Sequence, residues 1–157
     1  MILSRQALPV FDRSRDGFRP ADGVARGAYV LVEASNDRGE TTPDVVLIAT
    51  GSEVQLAVEA RQTLQASGIA TRVVSAPCLE WFDAQDEDYR NEVLPTTALR
   101  VSIEAGVEQG WQQYTSGHGH SVSLEHFGAS ADYQTLFSKF GITAEALVNK
   151  VNSLYNA

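Results

Sequence analysis

The chain has 157 residues, of which 43% are hydrophobic and 20% are charged, as in an ordinary globular domain. Its formal net charge of −8 argues against a nucleic acid as partner, because nucleic-acid binding needs a clustered positive field. No apolar run has the length of a membrane span, and Cys78 is the only cysteine, which excludes an internal disulfide. We therefore expect a cytoplasmic protein with no membrane segment.

The first part of the chain reads as a connector. Residues 1–6 look like the end of a strand that has nothing before it to pair with. Residues 9–27 then mix prolines, glycines and charged residues without a hydrophobic period. This pattern predicts a segment that crosses a surface and lies outside the core. A chain that opens in this way is expected to be part of something larger.

The central part of the chain predicts a strand, a tight turn and a helix. The branched apolar run Val45–Ala49 is typical of a strand that is buried on both faces. Ser52 then predicts an N-cap, and Gln55 completes a capping box for a helix that runs through Leu64. Arg61 falls on the apolar side of this helix, so we expect its charged head to extend into water. Further strands are predicted at 28–34, 69–75, 99–104 and 121–125.

Helices are predicted between and after these strands. Asp83 predicts the cap of a short helix through residue 93, and residues 106–116 predict a helix that Gly110 weakens. Residues 132–140 fit a short helix that ends at Gly141, and Thr143 predicts the cap of a final helix. Strands that alternate with helices imply a mostly parallel sheet with helices on both faces.

The turn Thr50-Gly51-Ser52 is the first candidate site. It places free amides and a helix N-terminus at the carboxyl end of a strand, which is a position that suits an anion. The turn has neither a G-x-G-x-x-G pattern nor a P-loop lysine. A capped helix that binds nothing is therefore the simpler interpretation, and an anion site at Gly51 and Ser52 is the alternative.

The other chemically reactive residues form no convincing site. His118 and His120 have the spacing of a metal pair, but no third ligand stands near them, so we interpret them as part of a solvated loop. Cys78 has apolar neighbours, which predicts a packed thiol and not a nucleophile. The acidic run 83–92 is interpreted as a solvated helix face, and composition alone assigns no function to Arg5. No nucleophile, base and oxyanion donor come together in these patterns.

Six segments along the chain form a recognisable series. They are Leu-Ser-Arg-Gln at 3–6 with Leu-Pro at 8–9, Asp-Val-Val-Leu-Ile-Ala-Thr-Gly-Ser-Glu-Val at 44–54, Arg-Val-Val-Ser at 72–75, Val-Ser-Ile-Glu-Ala-Gly at 101–106, His-Phe-Gly-Ala-Ser-Ala-Asp-Tyr at 126–133 and Phe-Gly-Ile-Thr at 140–143. In this order they resemble the C-terminal third of transketolase, and the bacterial type matches best. The resemblance covers essentially the whole chain.

The resemblance implies a parent enzyme that moves a two-carbon ketol unit between sugar phosphates on thiamine diphosphate. Such enzymes are homodimers whose earlier domains hold the cofactor and a divalent metal, Mg²⁺ or Ca²⁺. This sequence lacks the family's Gly-Asp-Gly and asparagine signature, so we expect no cofactor in this chain. Residues 1–27 would be the end of the pyrimidine-binding domain plus a linker, and residues 28–157 the C-terminal domain.

The resemblance also implies a fold and a role for one residue. We expect a three-layer α/β/α domain with a mostly parallel sheet of about five strands, the first of them antiparallel. Arg5 matches the family's arginine that reaches the substrate phosphate, a task suited to its fork of donors. The domain itself is expected to have an assembly, structural or regulatory role and to be inactive alone. The alternatives are a free-standing module that binds an anionic metabolite, or the same domain of dihydroxyacetone synthase or deoxyxylulose-phosphate synthase.

Overall fold

A five-stranded sheet forms the centre of the computed structural model, which describes residues 4, 6–14, 17–36, 39 and 41–156. The strands are β1 Tyr29–Val32, β2 Val45–Ala49, β3 Thr71–Ser75, β4 Leu99–Ile103 and β5 Ser121–Val122. Their order is β1-β3-β2-β4-β5. β1 runs antiparallel to β3, and all other neighbours are parallel. The predicted fold class, including the antiparallel first strand, is confirmed.

Helices cover both faces of the sheet. They are α1 Val54–Ala66, α2 Leu79–Asp83, α3 Glu87–Val93, α4 Tyr133–Phe140 and α5 Ala144–Tyr155. One face packs against α1 and α5 through side chains such as Leu64 and Leu147, which are fully buried. The other face packs against α2 and α3, with Phe82 in the centre of that cluster. Within the described part of the chain, no helix is both long and apolar enough to cross a membrane.

The start of α1 differs from the predicted capping box. A 3₁₀ turn, Gly51–Glu53, precedes the helix, and Ser52 makes no side-chain cap. Ser52 is buried, and its hydroxyl donates to Glu53 Oε1 at 3.1 Å, so it is not available to the helix amides. Gln55 Nε2 donates to the Ser52 carbonyl at 3.1 Å, whereas a capping box requires the Gln55 side chain to accept from the Ser52 amide.

Arg61 also differs from the prediction, because its guanidinium is partly buried and hydrogen-bonds to backbone carbonyls. Its Nε donates to the Thr71 carbonyl at 3.0 Å, and one terminal nitrogen donates to the Glu33 carbonyl at 2.6 Å. These carbonyls lie at the ends of neighbouring segments, and the guanidinium supplies the donors that they need. Burial lowers the pKa of Arg61, while the charge of Glu33 opposes that shift. The side chain therefore ties α1 to the sheet.

Two helix predictions were wrong in extent. The helix expected from Asp83 through Val93 divides into α2 and α3, and Asp86 caps α3 by accepting from the Tyr89 amide at 2.8 Å. Residues 106–116 contain only a 3₁₀ turn, because Gly110 adopts a φ of +95° that interrupts a helix. The short helix predicted at 132–140 is present as α4, with Asp132 as its N-cap, and the cap predicted at Thr143 is confirmed.

The segment predicted as a connector contributes two aromatic residues to the core. Phe11 and Phe18 pack against the α1 side of the sheet, with their rings 4.6 Å apart. Phe18 also forms a bridge with Val32, and the Arg19 amide donates to the Leu31 carbonyl at 2.8 Å. The sequence expectation that this stretch lies outside the core is therefore wrong for these two side chains. The domain boundary after residue 27 stays a prediction.

Candidate functional site

The carboxyl ends of β2 and β4 form the place where a ligand would most readily bind in this sheet. The connection from β2 to β3 runs through α1 on one face, whereas the connection from β4 to β5 contains Trp111, which belongs to the cluster on the other face. The two chain segments that leave these adjacent strands therefore separate. In open α/β sheets this topological switch point creates the crevice that ligands occupy.

Two carboxyl groups lie at this switch point. Glu104 directly follows β4, and its Oε2 accepts a hydrogen bond from Thr50 Oγ1, which directly follows β2, at 2.7 Å. Glu53, in the turn before α1, is only 4% exposed and accepts from the Ser52 hydroxyl. Burial raises the pKa of Glu53, and the charge of Glu104 raises it further. Burial also raises the pKa of Glu104, although the bond from Thr50 opposes that shift.

An apolar cleft of about 280 Å³ lies beside the same turn. Its walls combine the N-terminal segment, β1 and the end of β3: Leu8, Pro9, Phe11, Arg13, Val24, Tyr29, Leu31, Gly51, Ser52, Val54, Gln55, Ser75 and Pro77. Arg13 is the cationic side chain of this lining, and it donates to the Arg19 carbonyl and to the Tyr29 hydroxyl. The cleft therefore places one guanidinium on the same wall as the Gly51 turn.

The predicted anion site at Gly51 and Ser52 stays a prediction. Gly51 is exposed with a φ of +48°, while the Ser52 hydroxyl is already bonded to Glu53. Ionised carboxylates at Glu53 and Glu104 would repel an anion at this turn, and protonated carboxyls would donate to it. Any anion binding here would therefore strengthen as the pH falls.

The histidines and the cysteine lie apart from this crevice. His118 is exposed and pairs with Gln112 through its Nδ1 at 2.8 Å, whereas Nδ1 of His120 is buried without a partner among the described residues. Cys78 is half-buried, with its Sγ 3.5 Å from Glu80 Oε2. Across the described ranges, no group of three His, Cys, Asp or Glu side chains is arranged to hold a metal ion. Arg5 lies outside the described residues.

Comparison with known proteins identifies the family. The family model described as transketolase-like TK C-terminal domain matches residues 27–143. The chain belongs to this transketolase C-terminal domain family. The curated transketolase of Mycobacterium tuberculosis is 53% identical over 148 residues, which cover 94% of this chain and 20% of that protein. The Aquifex aeolicus transketolase is 45% identical over 152 residues, covering 96% and 21%.

Solved transketolase structures share the fold. The Leishmania mexicana enzyme matches with a TM-score of 0.77 and 41% identity, covering 86% of this chain and 19% of that one. The Pichia stipitis enzyme in complex with sedoheptulose 7-phosphate matches with a TM-score of 0.78 and 31% identity, covering 89% and 19%. The chain thus spans about a fifth of the length of these relatives.

The transketolase cofactor does not fit the residues described. A divalent metal bound to a diphosphate takes one or two protein carboxylates, but at this turn Glu104 accepts from Thr50 and Glu53 accepts from Ser52. The switch-point crevice presents Glu53 and Glu104, which oppose a diphosphate when they are ionised. We therefore assign no chemical step to this crevice.

Sequence reasoning missed that the charge of Glu104 acts on the buried carboxyl of Glu53. Each stands at or just after the carboxyl end of an apolar strand, which is a signal that the sequence does contain. The strand order was needed as well, because only adjacency of β2 and β4 brings the two carboxyls together. The sequence did not reveal that adjacency.

Proposed function

We propose that this chain is the C-terminal domain of a transketolase that transfers a two-carbon ketol unit between sugar phosphates. The observation that carries the proposal is the 53% identity to the Mycobacterium tuberculosis transketolase across 94% of this chain. The Pichia stipitis match in complex with sedoheptulose 7-phosphate supports sugar phosphates as the substrate class. Thiamine diphosphate, with Mg²⁺ or Ca²⁺, would supply the carbanion chemistry from other domains.

The proposal assigns two parts to the chain. Residues 1–27 are the end of the pyrimidine-binding domain plus a linker, and residues 28–157 are the C-terminal domain. The family match that begins at residue 27 supports this division. The enzyme would act as a homodimer in the cytoplasm, with the remaining transketolase domains as the partners of this chain.

Arg5 is the one substrate contact that we propose in this chain. It stands in the Leu-Ser-Arg-Gln segment, and its guanidinium would bind two oxygens of the sugar phosphate. This role rests on the family resemblance, because the structure does not describe Arg5.

The domain itself would contribute to assembly and not to catalysis. Among the described residues no group of side chains is arranged to hold a metal ion, and the carboxyls of Glu53 and Glu104 do not suit a diphosphate. The proposed contribution of this chain to the reaction is therefore the binding energy of one contact, from Arg5 to the substrate phosphate. Such a contact cannot replace a cofactor that supplies the reactive carbon.

The test is a comparison of the full-length enzyme with this chain alone. Ketol transfer from a phosphorylated ketose to a phosphorylated aldose should require the full-length protein with thiamine diphosphate and Mg²⁺. Isothermal titration of thiamine diphosphate and Mg²⁺ into this chain alone should give no heat of binding. A full-length protein that lacks ketol transfer to a phosphorylated aldose, but is active in the dihydroxyacetone synthase or deoxyxylulose-phosphate synthase reaction, would replace the proposal with that relative.

A further inference from the structure

The loop between β5 and α4 exposes a large apolar side chain. Phe127 is 98% exposed, and each residue from Gly128 to Asp132 is exposed as well. We call residues 127–131 the Phe127 loop. A single exposed apolar residue is common on protein surfaces, but almost complete exposure of a phenylalanine leaves its whole ring in water.

Both ends of the Phe127 loop are fixed to the domain. The His126 ring packs edge-on against Phe140 with centroids 4.6 Å apart, and its Nδ1 lies 2.8 Å from the Phe127 carbonyl. At the other end, Asp132 accepts from the Thr135 amide at 2.9 Å and from the Thr135 hydroxyl at 2.7 Å. These contacts hold both ends of the Phe127 loop, so the backbone at Phe127 has a defined position on the domain.

Gln6, near the beginning of the chain, lies on the same surface. Gln6 lines a groove together with Ala129, Ser130, Ala131, Asp132, Tyr133 and Leu136. Val10, four residues further along, is 96% exposed. The polypeptide that precedes this chain in a longer protein would thus arrive beside the Phe127 loop. The small side chains of residues 128–131 allow another backbone to approach closely.

We propose that the Phe127 loop and the groove beside Gln6 form the docking surface for the transketolase domain that precedes this chain. The inference rests on the proposed function, since it needs the longer enzyme of which this chain spans about a fifth. The occupant is the preceding domain and not a second copy, because Gln6, close to the end that the preceding polypeptide joins, lies in the groove. Phe127 would be the apolar anchor, surrounded by hydroxyl and backbone groups.

The first experiment measures burial of position 127 in the full-length enzyme. Phe127→Cys and the matched control Gln62→Cys, an exposed position on α1, are made in a full-length background in which Cys78 and every upstream cysteine are replaced by serine, and are labelled with a maleimide. We expect the thiol introduced by Phe127→Cys to react at least tenfold more slowly in the native protein than in denaturant. The Gln62→Cys thiol should react at similar rates in both. Equal native rates for the two thiols would overturn the proposal.

The second experiment keeps an aromatic ring at position 127 and identifies the occupant. p-Benzoylphenylalanine is incorporated at 127 in the full-length enzyme and photoactivated. We expect a cross-link within one polypeptide, mapped by mass spectrometry to residues upstream of this chain. A product of twice the mass would show that a second copy occupies the surface, and absence of any cross-link would show that nothing does. Either result contradicts the proposal.

Neither readout depends on catalysis, so the two proposals fail separately. An active ketol transferase whose Phe127→Cys thiol labels as fast as the control would remove the docking surface alone. A protected thiol and an internal cross-link in a protein without ketol transfer would leave the docking surface standing and remove the proposed activity.

Discussion

Gly27 joins the N-terminal segment to the domain, and we predict that Gly27→Ala destabilises the fold strongly. Gly27 has a φ of +87° and a ψ of −49°, which is close to the strained γ-turn conformation and outside the left-handed helical region, so an alanine there costs at least about 1–2 kcal/mol. A Cβ at this position would also overlap the Cys78 carbonyl oxygen and the Phe82 amide nitrogen, and would lie 2.8 Å from the Trp81 carbonyl carbon. These are backbone atoms at α2, so relief requires a shift of that helix, which costs a further ~1–3 kcal/mol.

The matched control is Gly68→Ala at the end of α1. Gly68 has the same φ of +87°, but a Cβ there would meet no atom within 4 Å. Urea unfolding of each variant, followed by tryptophan fluorescence, should show a loss of about 1–2 kcal/mol for Gly68→Ala and about 2–5 kcal/mol for Gly27→Ala. Equal losses would refute the argument, because they would mean that α2 accommodates the methyl group at no cost.

Two further predictions concern the carboxyl pair and the phosphate contact. Because burial raises the pKa of Glu53, its stabilising contribution is complete below the unfolded pKa and is lost as the pH rises through the folded pKa. Glu53→Gln should therefore flatten the fall in the urea midpoint as the pH rises above about 4.5, the ordinary pKa of a glutamate, whereas Glu59→Gln, at an exposed position on α1, should leave it unchanged; identical profiles for both would count against a buried acid. In the full-length enzyme, Arg5→Ala should lower kcat/KM for phosphorylated donors about ten- to a hundredfold, Arg5→Lys should lower it less, and hydroxypyruvate should be much less affected. Equal losses with both donor types would exclude the phosphate role.

Much of the fold was predictable from local patterns. The run Val45–Ala49 is apolar at every position, and the structure buries all five residues between two helical layers. The cap at Thr143 accepts from an amide three residues further along, so the local sequence was sufficient to predict it. Arg61 was different, because its partners at Glu33 and Thr71 lie 28 and 10 residues away and its helical position alone did not indicate them.

The candidate site was less predictable than the fold. The apolar run of β2 and the glycine that follows it were enough to predict the turn after β2. Glu104, however, follows β4 and lies 54 residues beyond Thr50. Nothing in the local sequence separates a solvated glutamate from one that is buried against a second carboxyl. The burial of Phe11 and Phe18 was missed for a similar reason, since an aperiodic segment carries no signal of the surface on which it lies.

The two edge strands of the sheet affect how the domain would behave as an isolated protein. An open strand edge is a template on which another chain can add a strand and begin aggregation. Here the outer edge of β1 is occupied by the bridge from Phe18 and the amide of Arg19, and β5 at the other edge has only two residues. The N-terminal segment therefore shields the sheet as well as leading to it. A chain that begins at residue 28 would lose Phe11 and Phe18 but keep the rest of the apolar core, and it would lose this protection against fibril-like association.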